Sequence, residues 1–398
     1  MKILHLAPDD KFMPFSQKVF EEAFPGGNHY RIYGNPDGYP EFIKPGNNVE
    51  IVDGFYWRSD KLKKDLASSD CLIVHFMTRD FMHAVKLAHE DMLVVWFGWG
   101  GDYYDLIGPY MGKLLLDKTE KLYQSIERKR VLLKPLRYIL KGVRKPMKAL
   151  SYFRRVFSRE ENITVYQIAE RIDVYWVNPE EVDMMAKALP NLRAVLHRHC
   201  YYSAEDIFDV GPKQMAGPDI LVGNSATETN NHLELFDFLR QFDLRGRKLF
   251  CPLSYGDHDY GRKIAKIGKS LFGDAFIPLA EYLPLETYYE TLSSCGTVMM
   301  NHVRQQAGTT VATALYKGAN VILRRENPVY DFYRKMGVRL FTFDDYPAGS
   351  PLFFVSVKDS VWQRNKAILE DYWSYETAVK QARSLKKFWK QKQLGMMS

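Results

Sequence analysis

The chain has 398 residues, a length that suits two domains better than one compact core. Hydrophobic residues make up 46% of it and charged residues 26%, a globular balance that excludes a wholly disordered chain. The formal net charge of +7 is unevenly distributed, because residues 127–159 carry twelve basic side chains and one acidic side chain. This pattern predicts one electropositive surface and argues against a uniformly basic nucleic-acid-binding protein, so we expect no nucleic-acid partner.

The cysteines and the apolar runs indicate the compartment. The four cysteines lie far apart and form no C-x-x-C pair, so we expect reduced thiols in a protein core. The apolar stretch before Asp9 and Asp10 is too short for a signal peptide. The longest uncharged apolar run, residues 92–101, is about half of a membrane span. We therefore expect a cytoplasmic protein without an integral membrane segment.

Short apolar runs alternate with segments of helical periodicity along most of the chain. The runs are nearly continuous in Val, Ile, Leu and Phe, which is typical of parallel strands buried on both faces. We predict strands at 2–7, 29–33, 71–76, 92–98 and 174–178, and a second set at 220–224, 248–253, 276–279, 296–301, 320–324 and 339–343. Helices are predicted at 78–89, 179–188, 233–242, 260–272, 284–293 and 309–317. This alternation predicts an α/β protein with two Rossmann-like, doubly wound domains facing a central cleft.

Two Gly-Pro pairs within residues 211–218 form the best candidate linker in the chain. We therefore predict a first domain at 1–210, with a basic helical insertion at 127–159, and a second domain at 218–358. The charged helical pattern of residues 359–398 is followed by no strand, and we expect it to pack back on the first domain.

Two loops of the second domain place small polar residues directly after predicted strands. Asn224 and Ser225 precede an amphipathic helix, where their side chains either cap the helix or receive an anion. Gly308, Thr309 and Thr310 begin another predicted helix, where hydroxyls and free backbone amides at the positive end suit a pyrophosphate. A plain helix start capped by threonine is the alternative at this second loop.

A carboxylate and an amide follow the next predicted strand. Glu326 and Asn327 come directly before Pro328, which opens a helix. A glutamate here can accept two hydrogen bonds from a ribose diol, and a favourable charge at the helix N-terminus is the alternative. The Asp-His-Asp triplet at residues 257–259 has no partner cluster, so we expect no metal site and no cofactor.

The first domain contains one unusual motif, in which a buried strand runs into glycines, two tryptophans and a carboxylate. Asp102 ends this motif and is a candidate general base, with a turn-capping role as the alternative. Asp10 follows another strand on the same predicted rim and is the reserve candidate. The ring of Trp99 is a possible platform for a sugar. His75 ends a third strand, where a structural role is the alternative to binding an acceptor.

Several of these segments together resemble glycosyltransferase family 56, the bacterial 4-acetamidofucosyltransferases of enterobacterial common antigen synthesis. The resemblance covers most of the second half and scattered positions of the first, and the basic block is expanded relative to the family. The segments that carry it are 220–225, 231–232, 304–309, 325–328 and 340–345, with His5, Asp10, His75 and residues 99–102 in the first half.

The resemblance implies a GT-B fold and transfer of a deoxysugar from a nucleoside diphosphate, dTDP, to a polyprenyl-diphosphate-linked saccharide. The second domain would hold the donor and the first domain the acceptor. Glu326 would bind the ribose, the turn at 308–310 the pyrophosphate, and Asn224 and Ser225 the phosphate or the sugar. Asn327 would also belong to the donor site. His75 and Trp99 would contact the acceptor. A non-catalytic nucleotide- or sugar-binding module that tethers a polysaccharide assembly to the membrane is the alternative function.

Apolar residues recur at steps of three and four through the basic block, which is typical of an amphipathic, cationic helix. Pro135 and Pro146 are expected to break the helical pattern. We expect this segment to hold the protein peripherally on anionic lipid at the cytoplasmic side of the bacterial inner membrane, with packing on the first domain as the alternative. The basic side chains assigned to the membrane surface are Arg128, Lys129, Arg130, Lys134 and Arg137.

Overall fold

The computed structural model describes residues 1–36, 40–43, 46–108, 112–144, 163–208, 211–350 and 355–397. Within these residues the chain forms two parallel β-sheets, each covered by helices. Continuous apolar strands such as Leu93–Phe97, in which every residue is buried, explain why helices are needed on both faces of a sheet.

The first sheet has seven strands in the order β3-β2-β1-β4-β5-β6-β7, and all its pairs are parallel. Its strands are β1 Ile3–Pro8, β2 Asn28–Tyr33, β3 Val49–Val52, β4 Cys71–His75, β5 Leu93–Phe97, β6 Val174–Trp176 and β7 Val195–Leu196. The sequence order reverses between β1 and β4, so a crevice opens at the carboxyl ends of these strands.

The second sheet has six parallel strands in the order β10-β9-β8-β11-β12-β13. Its strands are β8 Ile220–Val222, β9 Leu249–Pro252, β10 Phe276–Leu279, β11 Thr297–Met300, β12 Asn320–Leu323 and β13 Phe341–Thr342. The reversal lies between β8 and β11, so the loops after these two strands meet in the cleft.

Helices connect the strands on both faces of each sheet. In the first half they are α1 Met13–Ala23, α2 Asp60–Ala67, α3 Arg79–Leu87, α4 Gly101–Leu106, α5 Asp117–Arg144, α6 Val165–Ile168 and α7 Val182–Ala188. In the second half they are α8 His232–Leu239, α9 His258–Phe272, α10 Leu285–Ser294, α11 Gly308–Tyr316, α12 Pro328–Lys335, α13 Asp359–Trp373 and α14 Tyr375–Gln393.

Two helices cross from one half of the chain to the other. The beginning of α5 leaves the first domain and packs on α8 and α9 of the second, with Ile126 buried in that core. In the opposite direction, α14 packs on α1 of the first domain, and Lys392 pairs there with Asp173. The backbone of α5 continues through Pro135, so the expected break at that residue is wrong; Pro146 lies outside the described residues.

Strands β3 and β7 were not among the predicted elements. Both lie at edges of the first sheet, and β7 has only two residues. The sequence of β3 contains Glu50, whose carboxylate pairs with Arg31 and Lys61 at the sheet edge. An edge strand is partly exposed, so it lacks the continuous apolar run that marks a central strand.

Candidate active site

A cavity of about 340 Å³ lies between the two domains, at the carboxyl ends of both sheets. A second cavity of about 620 Å³ adjoins it and shares several of its wall residues. Residues that line both cavities are Lys11, Phe12, Tyr201, Tyr202, Thr309 and Thr310. The cleft is therefore one continuous region, with walls from both halves of the chain.

The N-terminus of α11 lies where the two cavities meet. Ala307 has a left-handed backbone with φ of 57°, which turns the chain sharply into the helix. The first intrahelical bond runs from the amide of Val311 to the carbonyl of Ala307, so the amides of residues 308–310 precede the regular ladder. Together with the hydroxyls of Thr309 and Thr310, they form a positive helix end that suits a diphosphate.

Two cations stand near this helix end. Arg304 lines the smaller cavity, and its Nε donates to Oε1 of Gln306 at 3.1 Å. Lys11, which follows β1 on the opposite domain, lines both cavities. Neither side chain was assigned to the site from the sequence, although Arg304 begins the motif Arg-Gln-Gln-Ala-Gly that carries part of the family resemblance.

Asn224 lies in the wall of the smaller cavity and is held by a polar network. Its Oδ1 accepts from Nε2 of His302 at 3.1 Å and from Nε2 of Gln306 at 3.0 Å. Its amide nitrogen donates to the hydroxyl of Tyr255 at 2.8 Å. Burial lowers the pKa of His302 to about 3, so this ring is neutral and must donate from Nε2 to its amide partners. Within the described residues, the network uses one of the two N–H groups of the Asn224 amide and leaves the other for a ligand.

Ser225 is adjacent to Asn224 but faces inward. It is 1% exposed, and its hydroxyl contacts Oγ1 of Thr227 at 2.9 Å and Nδ2 of Asn230 at 3.1 Å. Ser225 is not among the residues that line either cavity. In this structure it supports the loop rather than the cavity surface.

Glu326 and Asn327 lie outside the walls of both cavities. The Glu326 carboxylate is largely exposed and pairs with Arg324 at 2.9 Å. Burial raises its pKa, but a backbone hydrogen bond and the contacts with Arg324 outweigh this effect and lower it. Asn327 is 1% exposed, and its Oδ1 accepts from the amide of Val329 at 2.9 Å, so it caps α12.

Asp102 is buried and fully hydrogen-bonded. One carboxylate oxygen accepts from the amide of Met77 and from Nε1 of Trp96, both at 2.9 Å. The other accepts from the amide of Trp99 at 2.8 Å. Burial raises the pKa of Asp102, while these hydrogen bonds oppose the increase. The carboxylate ties the ends of β4 and β5 together, and it is absent from the cavity lining.

Asp10, the reserve candidate, is partly exposed at the start of α1, where its carboxylate accepts from the amide of Phe12 at 3.0 Å. Trp99 lies in the cavity wall, with the centroid of its ring 5.7 Å from that of Phe12 and 5.0 Å from that of Tyr201. These aromatic rings form the wall contributed by the first domain.

His75 is fully buried behind this wall. Its Nε2 lies 3.0 Å from Nδ1 of His5, and its Nδ1 lies 2.7 Å from the hydroxyl of Tyr201. Asn28 donates its amide hydrogens to backbone carbonyls, so its oxygen must accept from His5. His5 therefore donates from Nε2 to Asn28 and accepts at Nδ1 from Nε2 of His75. Nδ1 of His75 then carries no proton and accepts from the hydroxyl of Tyr201. His75 thus orients a wall residue and does not itself line a cavity.

Glu181 is a buried carboxylate that the sequence analysis did not identify. It is 2% exposed and accepts hydrogen bonds from the hydroxyls of Tyr103 and Tyr104. Burial raises its pKa to about 7, despite the opposing effect of these hydrogen bonds. Its sequence signal is the pair Glu180-Glu181 after β6, which is typical of an ordinary acidic helix start.

The basic residues of α5 have different environments. Arg128 and Lys129 are exposed. The guanidinium of Arg130 pairs with Asp257, Asp259 and Glu127, so the Asp-His-Asp triplet acts as its ion-pair partner. The side chains of Lys134 and Arg137 lie outside the described part of the chain.

Within the described residues, no group of three or more His, Cys, Asp or Glu side chains is arranged to hold a metal ion. The four cysteines are buried free thiols. In the same part of the chain, no helix has the length and apolarity needed to cross a bilayer.

Two parallel α/β domains around a cleft, with a helix N-terminus directed into it, define the GT-B class of fold. HepE from Anabaena, in complex with UDP and glucose, is similar with a TM-score of 0.60 and 11% identity, over 97% of this chain and 99% of that one. The N-terminal domain of trehalose-6-phosphate phosphatase from Candida albicans has a TM-score of 0.60 and 9% identity, over 98% and 97%. Sucrose-phosphate synthase from Thermosynechococcus elongatus has a TM-score of 0.55 and 10% identity, over the whole of both chains. The predicted GT-B fold is confirmed.

Residues 169–346 match the family model described as 4-alpha-L-fucosyltransferase, glycosyl transferase group 56. The resemblance to glycosyltransferase family 56 is therefore confirmed over these residues, which include most of the second domain and the end of the first. The protein is a glycosyltransferase, which decides against the non-catalytic module as its function.

Proposed function

We propose that this glycosyltransferase moves a fucose-like deoxysugar from dTDP to a polyprenyl-diphosphate-linked saccharide of a bacterial surface polysaccharide. The observation that carries the donor assignment is the N-terminus of α11 at the junction of the two cavities, with Arg304 and Lys11 beside it. The family description supports a fucosyl-type sugar. The similar HepE structure contains UDP, a nucleoside diphosphate.

The diphosphate is placed over Gly308, Thr309 and Thr310. In this position the helix end and Arg304 stabilise the negative charge that develops on the leaving diphosphate as the sugar is transferred. The sugar then extends into the smaller cavity toward Asn224, and the acceptor enters along Trp99 from the first domain. The catalytic base remains a prediction, with Asp102 and Asp10 as the residues to test.

The nucleoside has two candidate positions. The larger cavity has aromatic and hydroxyl groups suited to a base and a ribose, including Tyr288, Tyr289 and Thr313. The alternative, which follows the family resemblance, places the ribose at Glu326. These positions exclude one another, because Glu326 is not part of the wall of the larger cavity.

Isothermal titration of dTDP, UDP, GDP and CMP against the whole protein tests the nucleotide, and we expect dTDP to bind most tightly. Arg304→Gln should weaken dTDP binding roughly 10- to 100-fold, because a charged hydrogen bond contributes about 1.5–3 kcal/mol. The matched control is Arg325→Gln, since Arg325 stacks on Tyr330 outside both cavities. Equal effects of the two substitutions would contradict the diphosphate position.

The nucleoside position is tested by comparing Tyr288→Leu with Glu326→Ala. Weaker dTDP binding in the first variant alone supports the larger cavity. Weaker dTDP binding in Glu326→Ala alone, by about 1–3 kcal/mol, supports a ribose position at Glu326.

We also propose a peripheral membrane surface on α5 and α9. A groove of about 360 Å³ between these helices is lined largely by cations, among them Lys129, Arg262, Lys263 and Lys266. Each basic residue close to anionic lipid adds about 1 kcal/mol of attraction. Because α5 is attached to the second domain, this surface would hold the donor domain at the membrane while a lipid-linked acceptor enters the cleft.

Flotation with vesicles tests this surface. The protein should float with anionic vesicles, dissociate in high salt and ignore neutral vesicles. Replacing Arg128, Lys129, Lys134 and Arg137 by Gln should weaken flotation strongly, although Arg262, Lys263 and Lys266 remain. Arg130 is left intact because it pairs with Asp257 and Asp259. The control replaces four exposed lysines of α14, Lys380, Lys386, Lys387 and Lys390, and changes the net charge equally. Equal loss of flotation in both variants would show that the overall charge of the protein, and not this surface, causes the binding.

A further inference from the structure

Glu181 and two tyrosines form a buried cluster beside the cleft. Glu181 ends a short 3₁₀ turn, Pro179–Glu181, which follows β6. Tyr103 and Tyr104 are neighbours on α4, with ring centroids 5.1 Å apart, and each directs its hydroxyl to one oxygen of the carboxylate. None of the ion pairs among the described residues involves Glu181. The charged form of the carboxylate is stabilised by the two phenols, by the backbone N–H of Gln305 and by the charge of Arg304.

Tyr104 connects this cluster to the second domain through its hydroxyl. Its Oη accepts from the backbone amide of Gln305 at 3.0 Å. The guanidinium of Arg304 lies 4.9 Å from the centroid of its ring. The two loops also approach closely at Gly100, whose φ is +95° and where an added Cβ would overlap with Oε1 of Gln305. The loop that leads to α11 is thus held directly by the first domain.

The single proton of the Tyr104 hydroxyl fixes the direction of these contacts. A phenol that donates to Glu181 presents its lone pairs elsewhere, and the N–H of Gln305 is the group that meets them. Without an acceptor at Glu181, the hydroxyl proton can turn toward Gln305 and oppose that N–H. The carboxylate therefore determines whether Tyr104 can accept from the second domain.

We propose that Glu181 and Tyr104 are positioning residues for glycosyl transfer. Tyr104 links helix α4, which directly follows the Trp99 wall, to the loop that carries Arg304. Glu181 keeps the Tyr104 hydroxyl in the accepting orientation. This pair sets the spacing between the acceptor side and the donor side of the cleft. The inference rests on the donor position proposed above, since it requires the loop at 304–307 to lead into the diphosphate site.

The test compares Tyr104→Phe with Tyr103→Phe in steady-state glycosyl transfer by the whole protein. Both substitutions remove one phenol from Glu181, but only the first removes the bond to Gln305. Tyr104→Phe should lower kcat roughly 10- to 100-fold while the donor KM changes by less than about threefold, because misplacement across the cleft affects transfer more than donor binding. Tyr103→Phe should retain kcat within about threefold. Equal loss of kcat in both variants, or no loss in either, would overturn the proposal.

The role of Glu181 is tested through its coupling to Tyr104. Glu181→Gln retains one acceptor oxygen and should lower kcat less than Glu181→Ala. Combining Glu181→Ala with Tyr104→Phe should lower kcat by less than the product of the two separate losses, since both changes weaken the same contact with the loop at 304–307. Multiplicative losses would contradict a shared role. Titration of dTDP against Arg304→Gln reports separately on the donor position, so a failure there is distinguishable from a failure of the cross-domain contact.

Discussion

A buried carboxylate either anchors backbone groups or accepts a proton from a substrate, and its hydrogen-bond partners separate the two roles. Asp102 has the partners of an anchor, since two backbone amides and one indole N–H converge on it. A proton acceptor needs a free oxygen within reach of the reacting hydroxyl. Asp10 uses its carboxylate for one described contact, the amide of Phe12, and lies nearer to solvent.

Asp102→Asn therefore tests both roles at once. Asparagine places an N–H where at least one donor now finds an oxygen, so we expect the free energy of unfolding to fall by about 1–3 kcal/mol. Chemical denaturation measures this loss, and steady-state turnover is measured on the same samples. Loss of turnover by 10²–10⁴-fold, with unfolding free energy and donor affinity both unchanged, would instead identify Asp102 as the base. Asp10→Asn is the matched variant and should leave stability nearly unchanged.

At the scale of elements, the start of α5 shows how one domain caps a helix that begins in the other. The amides of Lys118 and Thr119 donate to Oε1 of Glu234 at 2.7 and 3.0 Å, and the hydroxyl of Thr119 donates to Oε2 at 2.6 Å. Glu234 belongs to α8, so a carboxylate from the second domain satisfies the free amides of α5. The basic helix is thereby fixed to the second domain.

Glu234→Ala should detach the beginning of α5. We expect a loss of about 1–3 kcal/mol in unfolding free energy, because three hydrogen bonds to one charged group are removed. Hydrogen exchange should also accelerate at the amides of residues 117–131, while exchange in α11 stays as in the unmodified protein. The control is Glu120→Ala on the same turn of α5, since its exposed pair with Lys113 contributes at most about 1 kcal/mol. Similar exchange in the two variants would contradict the capping role.

The elements that could be predicted from the sequence are those with a buried, continuous apolar pattern. Central strands such as β5 and β11 were predicted within two residues, because every side chain in them meets a helix on one face or the other. The helix α1 was missed, since its sequence begins with Met-Pro and its buried face includes the polar residue Ser16. The positions at which the predicted strands end also indicated where the cleft lies.

The identity of the site residues was harder to predict. The pattern located the loops at 224, 99 and 308, and the structure places Asn224, Trp99 and the α11 N-terminus in the cavity wall. It could not show which side chain of each loop turns inward, as Ser225, Asp102 and His75 do. That choice depends on contacts between distant segments, such as Asp102 with Met77, which no local pattern records.

At the scale of the whole molecule, six histidines are buried. His197 is 9% exposed and burial lowers its pKa, and the other five lie in the two domain cores. They are His5, His75, His199, His232 and His302, none more than 4% exposed. Burial lowers the pKa of each below the ordinary value of 6.5, to about 3 for His5, His232 and His302. All five are therefore neutral in the folded protein at pH values where the unfolded chain would bind protons.

This difference makes the fold sensitive to acid. As the pH falls through 6.5, the unfolded chain takes up protons that the folded protein does not, so the free energy of unfolding decreases. Each histidine costs about 1 kcal/mol between pH 6.5 and 5.5. Glu181, whose pKa is raised to about 7, and Asp102, whose pKa is also raised, act in the opposite direction. Their smaller number leaves a net loss of stability over this pH unit.

Urea unfolding at pH 7.5, 6.5 and 5.5 measures this loss directly. His232→Gln removes one buried imidazole whose Nε2 has no hydrogen-bond partner, and should reduce the loss between pH 6.5 and 5.5 by about 1 kcal/mol. The matched control is His258→Gln, which replaces an imidazole on the exposed surface of α9. A free energy of unfolding that is constant from pH 6.5 to 5.5 would show that the buried histidines take up protons within the folded protein. Its two cores would then have to admit water at these rings, because a dry core disfavours the charged imidazolium.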